Sequence, residues 1–125
     1  MVAEEKKVIV VVDDDQRVSE LIKDTLESEP EYEAKVVNDS RHALEVIRSV
    51  PTRLILLDVR MPGIDGIQLD MILQASRVTR AIPVIFMTAN GQTLGFNRHK
   101  IGNYIAKPFD PDELVERVDA AVHSG

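Results

Sequence analysis

The sequence has 125 residues, of which 44% are hydrophobic and 29% are charged, and its formal net charge is −6 at pH 7. This length suits one globular domain over residues 1–125, and the acidic balance excludes a general nucleic-acid binder. There is no cysteine, no apolar run of about 20 residues that would span a bilayer, and no signal-peptide pattern. We therefore predict a cytoplasmic protein with no membrane insertion, in which residues 1–6 are frayed.

Strand and helix patterns alternate along the first half of the chain. Residues 8–12 form a β-branched run that ends in three aspartates. A helix follows, closed by Pro30, and residues 32–37 form a shorter strand. Asp39 or Ser40 then caps a second helix that Pro51 stops. The apolar stripe of the first helix is predicted from helical spacing and consists of Val18, Leu21, Ile22, Thr25 and Leu26.

The stretch 54–66 is the centre of the pattern. Residues 54–57 are four large aliphatic residues in a row, which is typical of a strand buried on both faces. They lead directly into Asp58, and the proline and glycines that follow force a loop. A carboxylate at the end of such a strand lies where an open parallel sheet presents its ligand crevice.

The remaining elements are predicted with the same rules. Asp65 and Gln68 match a capping box that opens a third helix to about residue 75. Residues 82–87 form a fourth strand that leads into Thr88, and residues 103–106 form a fifth. The weak pattern of residues 92–100 predicts a short or distorted fourth helix. A final helix begins after Asp110, with a proline at its first position.

This alternation predicts an α/β fold with a doubly wound, five-stranded parallel sheet of order 2-1-3-4-5, the flavodoxin-like arrangement. The carboxyl ends of the first and third strands then lie side by side. Five polar side chains share that edge of the sheet: Asp13, Asp14, Asp58, Thr88 and Lys107.

Three carboxylates at one edge repel each other, by roughly 4 kcal/mol for a pair 4 Å apart at an effective dielectric constant near 20. Mg²⁺ relieves this repulsion because it prefers oxygen ligands and keeps waters that leave room for a phosphate. One carboxylate can then act as a nucleophile towards phosphorus. The ammonium of Lys107 and the hydroxyl of Thr88 suit phosphoryl oxygens. The pattern therefore predicts a site that accepts a phosphoryl group.

At this point the chain resembles the receiver domain of two-component response regulators, the CheY-like family. The resemblance covers essentially the whole chain, and its motifs come in the family's order. It rests on four stretches: Val-Val-Val-Asp-Asp-Asp at 10–15, Leu-Leu-Asp-Val-Arg-Met-Pro-Gly-Ile-Asp-Gly at 56–66, Met-Thr-Ala at 87–89 and Lys-Pro-Phe at 107–109.

The resemblance implies a role for each site residue. Asp58 would be the phosphoacceptor, and Asp13 and Asp14 would hold Mg²⁺ together with Asp58 and the backbone carbonyl of Arg60. Asp14 would be the more direct metal ligand of the two strand-end aspartates.

The resemblance also implies how the phosphoryl group would be bound and sensed. Thr88 and Lys107 would bind it, and Tyr104 would turn inward as Thr88 moves. Arg60 and Asn90 occupy positions that in the family tune how water reaches the acyl phosphate. The segment between Thr88 and Lys107 is about one helical turn shorter than in the family, so the Tyr104 switch and the family's output face are open questions here.

As a function, the resemblance implies a phosphoacceptor switch rather than an enzyme, with self-phosphorylation and self-dephosphorylation at Asp58 as its only reactions. A histidine kinase or phosphotransfer protein would be the donor. The output would need a separate protein partner or an output domain that is missing here, without direct nucleic-acid binding, and a phosphorylation-dependent dimer stays open.

Two alternatives remain at this stage. One is a degenerate receiver that acts only as a binding module, which the shortened segment after Thr88 keeps open. The other is a haloacid-dehalogenase-type phosphatase, since Asp13 and Asp15 form an Asp-x-Asp pair after an apolar strand. The nucleophile separates these readings, because it would be Asp13 in the phosphatase and Asp58 in the receiver.

Overall fold

The computed structural model describes residues 5–89 and 104–124. Strands and helices alternate along this part of the chain, as the apolar patterns predict. The elements are β1 (Lys7–Val12), α1 (Gln16–Glu27), β2 (Tyr32–Val37), a 3₁₀ turn (Ser40–His42), α2 (Ala43–Ser49), β3 (Thr52–Asp58), α3 (Gly66–Gln74), β4 (Val84–Thr88), β5 (Tyr104–Ala106) and α4 (Pro111–His123).

The five strands form one parallel sheet of order β2-β1-β3-β4-β5. The predicted flavodoxin-like topology is therefore confirmed. The register pairs Val12 with Leu57 and Thr88 with Ala106, so neighbouring strands end at the same edge. The predicted helix at 92–100 and the first residue of the predicted fifth strand lie outside the described residues. Of the predicted frayed segment 1–6, only residues 5 and 6 are described, and they precede β1.

The sheet separates two apolar layers. Residues 9–12 of β1 and 54–57 of β3 are completely buried, because these two central strands are covered on both faces. Val10 points to the layer that holds α2 and α3, whereas Ile9 and Val11 point to the layer that holds α1 and α4. Because successive side chains of a strand point to opposite faces of the sheet, one apolar run contributes residues to both layers.

Two details of the predicted elements are wrong. Leu21 is 54% exposed, and Ser19, Ile22 and Leu26 take the inward positions of α1. The 100° step between neighbouring residues puts Leu21 at the solvent edge once Ile22 is central. The fourth strand runs over Val84–Thr88 rather than 82–87. Its start is later because the N–H of Ile82 bonds to Thr79 in a turn, and its end is later because Thr88 pairs in the ladder.

The predicted starts of α3 and α4 are confirmed, whereas α2 begins at Ala43 without a side-chain cap and Asp39 instead caps the 3₁₀ turn before it. Asp15 accepts hydrogen bonds from two amides of the first turn of α1, at 2.9 and 3.2 Å. The capping box of α3 is complete, with Asp65 accepting from the Gln68 amide at 2.8 Å and Gln68 accepting from the Asp65 amide at 3.0 Å. Asp110 caps α4 ahead of Pro111. These caps satisfy backbone donors that a helix start leaves unpaired.

The start of α3 is pressed against the end of β3. The N–H of Gly66 donates to the carbonyl of Val59 at 2.9 Å. A Cβ atom at residue 66 would lie 2.2 Å from the carbonyl oxygen of Asp58 and 2.9 Å from the Cα of Val59. Only glycine fits this approach, and it fixes the backbone on which the Asp58 side chain is mounted.

We expect Gly66→Ala to lower the free energy of unfolding by about 2 to 4 kcal/mol, because the clash is with main-chain atoms that cannot rotate away. Urea unfolding followed by circular dichroism measures the loss. Gly63→Ala is the control: residue 63 has φ +80 but open space around a Cβ, with its nearest atoms at 3.9 Å, so only a backbone penalty of about 1 kcal/mol is expected. An equal loss in both variants would contradict the steric explanation.

Candidate functional site

Three carboxylates meet where β1 and β3 end. One oxygen from each of Asp13, Asp14 and Asp58 lies within 4.8 Å of the others. They meet because β1 and β3 are neighbours in register, so the residues after Val12 and Leu57 emerge at the same edge. Asp13 is fully buried and Asp58 nearly so, whereas Asp14 faces solvent.

Both oxygens of Asp13 are already engaged by protein donors. Oδ1 accepts from the backbone N–H of Asp15 at 2.9 Å, and Oδ2 accepts from the ammonium of Lys107 at 2.7 Å. A buried carboxylate is stable only when it is paired and hydrogen-bonded in this way. The Asp13 side chain is therefore held in one orientation at the floor of the site.

Lys107 follows β5, the edge strand of the sheet, and its side chain reaches the cluster from there. Its backbone N–H donates to the carbonyl of Thr88 at 2.7 Å, which ties the end of β5 to the end of β4. The peptide bond from Lys107 to Pro108 is cis. The Nζ atom lies 2.7 Å from Asp13 and 3.5 Å from Asp58, so one ammonium serves two carboxylates.

The environment of Asp58 favours its neutral form. Burial is the main cause, and with the nearby charge of Asp13 it raises the pKa of Asp58 to about 6. The ammonium of Lys107 and a hydrogen bond from the backbone of Arg60 oppose this rise, and they are outweighed. A carboxylate whose ionised form is under-compensated in this way attracts a further cation.

A cavity of about 260 Å³ opens over these groups. Six of the site residues predicted from the sequence line it, Arg60 included, and Thr88 among them is buried. The complete lining within the described residues is Asp13, Asp14, Asp15, Asp58, Val59, Arg60, Thr88, Ala89 and Lys107.

Of the other two predicted site residues, Tyr104 is described and is not in this cavity wall. Tyr104 lies on β5 with 43% of its surface exposed, and its carbonyl accepts a hydrogen bond from Arg117. Its side chain is thus in an outward position. Asn90 lies outside the described residues, so its role in tuning the access of water stays a prediction.

Asn38 and Gly66 have roles at the site that the sequence pattern does not predict. The side-chain amide of Asn38 donates to the backbone carbonyl of Asp13 at 2.8 Å and to the hydroxyl of Ser19 at 2.9 Å. The sequence predicts Gly66 only as a loop-forming residue. In the structure, its lack of a side chain leaves room for the backbone carbonyl of Asp58. The one available signal for Asn38 was its place directly after a strand that neighbours β1.

The donor set fits Mg²⁺. All three cluster residues offer carboxylate oxygens, the ligand type that a small hard cation prefers. Asp14 is exposed and can bind a cation without losing a protein partner that holds the fold. The cavity leaves space for the retained waters and the phosphate that Mg²⁺ usually keeps beside its carboxylate ligands.

The chain is similar to known proteins in sequence and in fold. The family model described as "Response regulator receiver domain" matches residues 9–119. The "DNA-binding response regulator MtrA" of Mycolicibacterium paratuberculosis is 36% identical over 116 residues, which cover 90% of this chain and 49% of MtrA. The receiver domain of the Francisella response regulator 1452 is 31% identical with a TM-score of 0.84, covering 95% of this chain and 98% of that one.

The fold alone is also that of the Vibrio cholerae chemotaxis protein CheY4, with a TM-score of 0.83 at 21% identity over 93% of this chain and 98% of that one. A CheY-like sheet that carries an acidic cluster at its switch point defines a two-component signalling module rather than a conventional enzyme. The chain belongs to the response regulator receiver domain family.

The chain spans about half the length of the MtrA relatives that it matches. The DNA binding in the name of those relatives therefore refers to longer proteins. Within residues 5–89 and 104–124, no helix has both the length and the apolar character to cross a membrane.

We expect Asp58→Asn to stabilise the metal-free protein above pH 6. The folded-state pKa of about 6 lies above the ordinary value of 3.8, so the folded protein binds this proton more tightly and loses stability as pH rises from about 4 to 6. The variant escapes that loss, and its gain is about 1 to 3 kcal/mol at pH 7.

Thermal unfolding in chelator between pH 4 and pH 8 measures this difference. Asp14→Asn is the matched control, since it removes one carboxylate of the same cluster from an exposed position and should gain less. A gain for Asp58→Asn that is the same at pH 4 and pH 8 would show that its cause is not the ionised carboxylate.

Proposed function

We propose that this protein is a phosphoacceptor switch of a two-component phosphorelay, in which Asp58 accepts a phosphoryl group from a histidine kinase or phosphotransfer protein with Mg²⁺. The observation that carries the proposal is the asymmetry of the two buried carboxylates. Both residues line the cavity, but the two oxygens of Asp13 accept hydrogen bonds of 2.9 and 2.7 Å, whereas the ammonium of Lys107 lies 3.5 Å from Asp58 Oδ1.

Asp13, Asp14, Asp58 and the backbone carbonyl of Arg60 are the groups that would hold Mg²⁺. When bound, the ion supplies positive charge that neutralises the carboxylates and the incoming phosphoryl oxygens. This neutralisation keeps Asp58 ionised near neutral pH, because a bound cation opposes the burial that raises its pKa.

In the transfer step an oxygen of the Asp58 carboxylate forms a bond to phosphorus. The bond from phosphorus to the imidazole nitrogen of the donor breaks, and that nitrogen keeps the electron pair and takes a proton from solvent. Lys107 pairs with one phosphoryl oxygen, and the Thr88 hydroxyl donates to another. Positioning and charge therefore account for the reaction, as is usual for phosphoryl transfer.

The same asymmetry disfavours the phosphatase alternative. That chemistry needs Asp13 as the nucleophile, and a carboxylate that is fully buried with each oxygen in a short hydrogen bond is a poor one. Asp58 lines the cavity, and the ammonium of Lys107 lies 3.5 Å from its Oδ1, as the receiver chemistry requires.

The output would follow from a shift between two conformations. Phosphorylation draws Thr88 towards the new charge, and Tyr104, now outward, would occupy the space that Thr88 leaves. Relatives such as MtrA are named as DNA-binding response regulators. We infer that an attached output domain or a separate protein partner reads the switch, rather than this acidic chain binding nucleic acid itself.

Incubation with acetyl phosphate and Mg²⁺, followed by intact mass, tests the proposal. One added phosphoryl group is expected on the parent and none on Asp58→Asn or in chelator, with slower labelling of Asp13→Asn because metal binding is weakened. Steady release of inorganic phosphate that depends on Asp13 would instead support the phosphatase. No adduct, no turnover and no response to beryllofluoride would leave a binding module.

We expect Arg60→Ala to shorten the lifetime of the acyl phosphate roughly fivefold, which corresponds to about 1 kcal/mol in the hydrolysis barrier. Arg60 follows Asp58 by two residues and lines the cavity, where its side chain can shield phosphorus from water. Loss of the phosphorylated mass after removal of the donor gives the rate.

Arg53→Ala is the control for this measurement, because it removes an exposed cation from the opposite end of β3. Hydrolysis of the Arg60 variant at the rate of the parent and of the Arg53 variant would rule out the shielding role.

A further inference from the structure

We propose that Asn38 is a positioning residue of the acidic site, which holds the turn bearing Asp13 and Asp14 in the geometry that binds the cation. This inference rests on the proposed metal-dependent function. It adds a residue from β2's end to a site otherwise built from the ends of β1, β3, β4 and β5.

The contacts form a continuous chain of hydrogen bonds. Asn38 Nδ2 donates to the carbonyl of Asp13 at 2.8 Å and to Ser19 Oγ at 2.9 Å, and Ser19 Oγ donates to the carbonyl of Gln16 at 3.1 Å. The carbonyl of Asp13 is only an acceptor, so the nitrogen of the amide must face it. Both hydrogens of that nitrogen are thereby used.

This anchor lies where the β1–β2 ladder stops. The N–H of Asp13 donates to the carbonyl of Val37 at 3.0 Å, and β2 ends at that residue. The side chain of Asn38 then supplies the next donor, to the carbonyl of the same aspartate. Asp13 is thus held through its backbone N–H, its backbone carbonyl and its carboxylate.

The anchor matters because the carboxylates repel each other. The turn from residue 13 to residue 16 carries Asp13, the exposed Asp14 and the amide of Asp15 that orients Asp13 Oδ1. Without the anchor, this turn is free to relax outwards and increase the separation of the three oxygens, now within 4.8 Å. Support of a ligand by an outer hydrogen bond of this kind is commonly worth 10- to 100-fold in metal affinity.

Mn²⁺ binding, followed by the loss of the free-ion electron paramagnetic resonance signal, tests the proposal on the full chain. The variants are Asn38→Ala and Ser19→Ala, and thermal unfolding is measured on the same samples. Thr79→Ala is the matched control: Thr79 is buried and its hydroxyl donates to the carbonyl of Leu73 at 2.7 Å, beyond α3 and before β4 begins.

We expect Asn38→Ala to weaken Mn²⁺ binding about tenfold and Ser19→Ala to weaken it less. The double variant should bind as weakly as Asn38→Ala alone, because both changes break one chain of bonds. Thr79→Ala should lose stability and keep the affinity of the parent. If Asn38→Ala does not fold, Ser19→Ala carries the same test.

Parent-like Mn²⁺ affinity in Asn38→Ala, or in Ser19→Ala where the former does not fold, would overturn the inference. The acetyl phosphate experiment would then still stand on its own, so the proposed function would be unaffected. A parent protein that binds no Mn²⁺, with Asp13→Asn no different, would overturn both.

Discussion

Repulsion between buried carboxylates is the constraint on which the rest of this structure depends. Asp13 and Asp58 end two neighbouring strands whose preceding residues are completely buried, so neither carboxylate can move away without disturbing the core. The ammonium of Lys107, 2.7 and 3.5 Å from the two, offsets part of the repulsion. Burial, and after it the charge of Asp13, raises the pKa of Asp58 despite this ammonium, so the ionised carboxylate is only partly compensated. The core therefore stabilises a site that, without a cation, is itself destabilising.

Because the carboxylates are only partly compensated, the site responds to added charge. A cluster fully neutralised by protein cations would have little to gain from binding an ion or a phosphoryl group. Here one ammonium faces two carboxylates, and a third carboxylate, Asp14, lies at the solvent side. Each added charge changes the electrostatic forces on the residues at the strand ends. These residues include Thr88 at the end of β4 and Lys107 directly after β5, and the Lys107 N–H donates to the Thr88 carbonyl at 2.7 Å.

The features that the sequence predicts well are those set by local rules. Unbroken apolar runs identify β1 and β3, and a parallel sheet of this order places Asp13 and Asp58 together without knowledge of side-chain detail. Leu21 was misplaced because helical spacing alone does not say where the centre of a buried stripe lies. Asn38 was missed because its partners are 25 and 19 residues away, and nothing in a polar residue after a strand indicates which main-chain group it will meet.

The tight approach of Gly66 has a mechanical consequence. With its amide bonded to Val59 and no clearance above the carbonyl of Asp58, the first residue of α3 is in direct contact with the main chain of the acceptor. The loop between residues 59 and 66 cannot absorb a displacement of that main chain, because the hydrogen bond from Gly66 to Val59 joins its two ends. We therefore expect a movement of the Asp58 main chain to be passed directly to the first turn of α3, the helix that extends from Gly66 to Gln74.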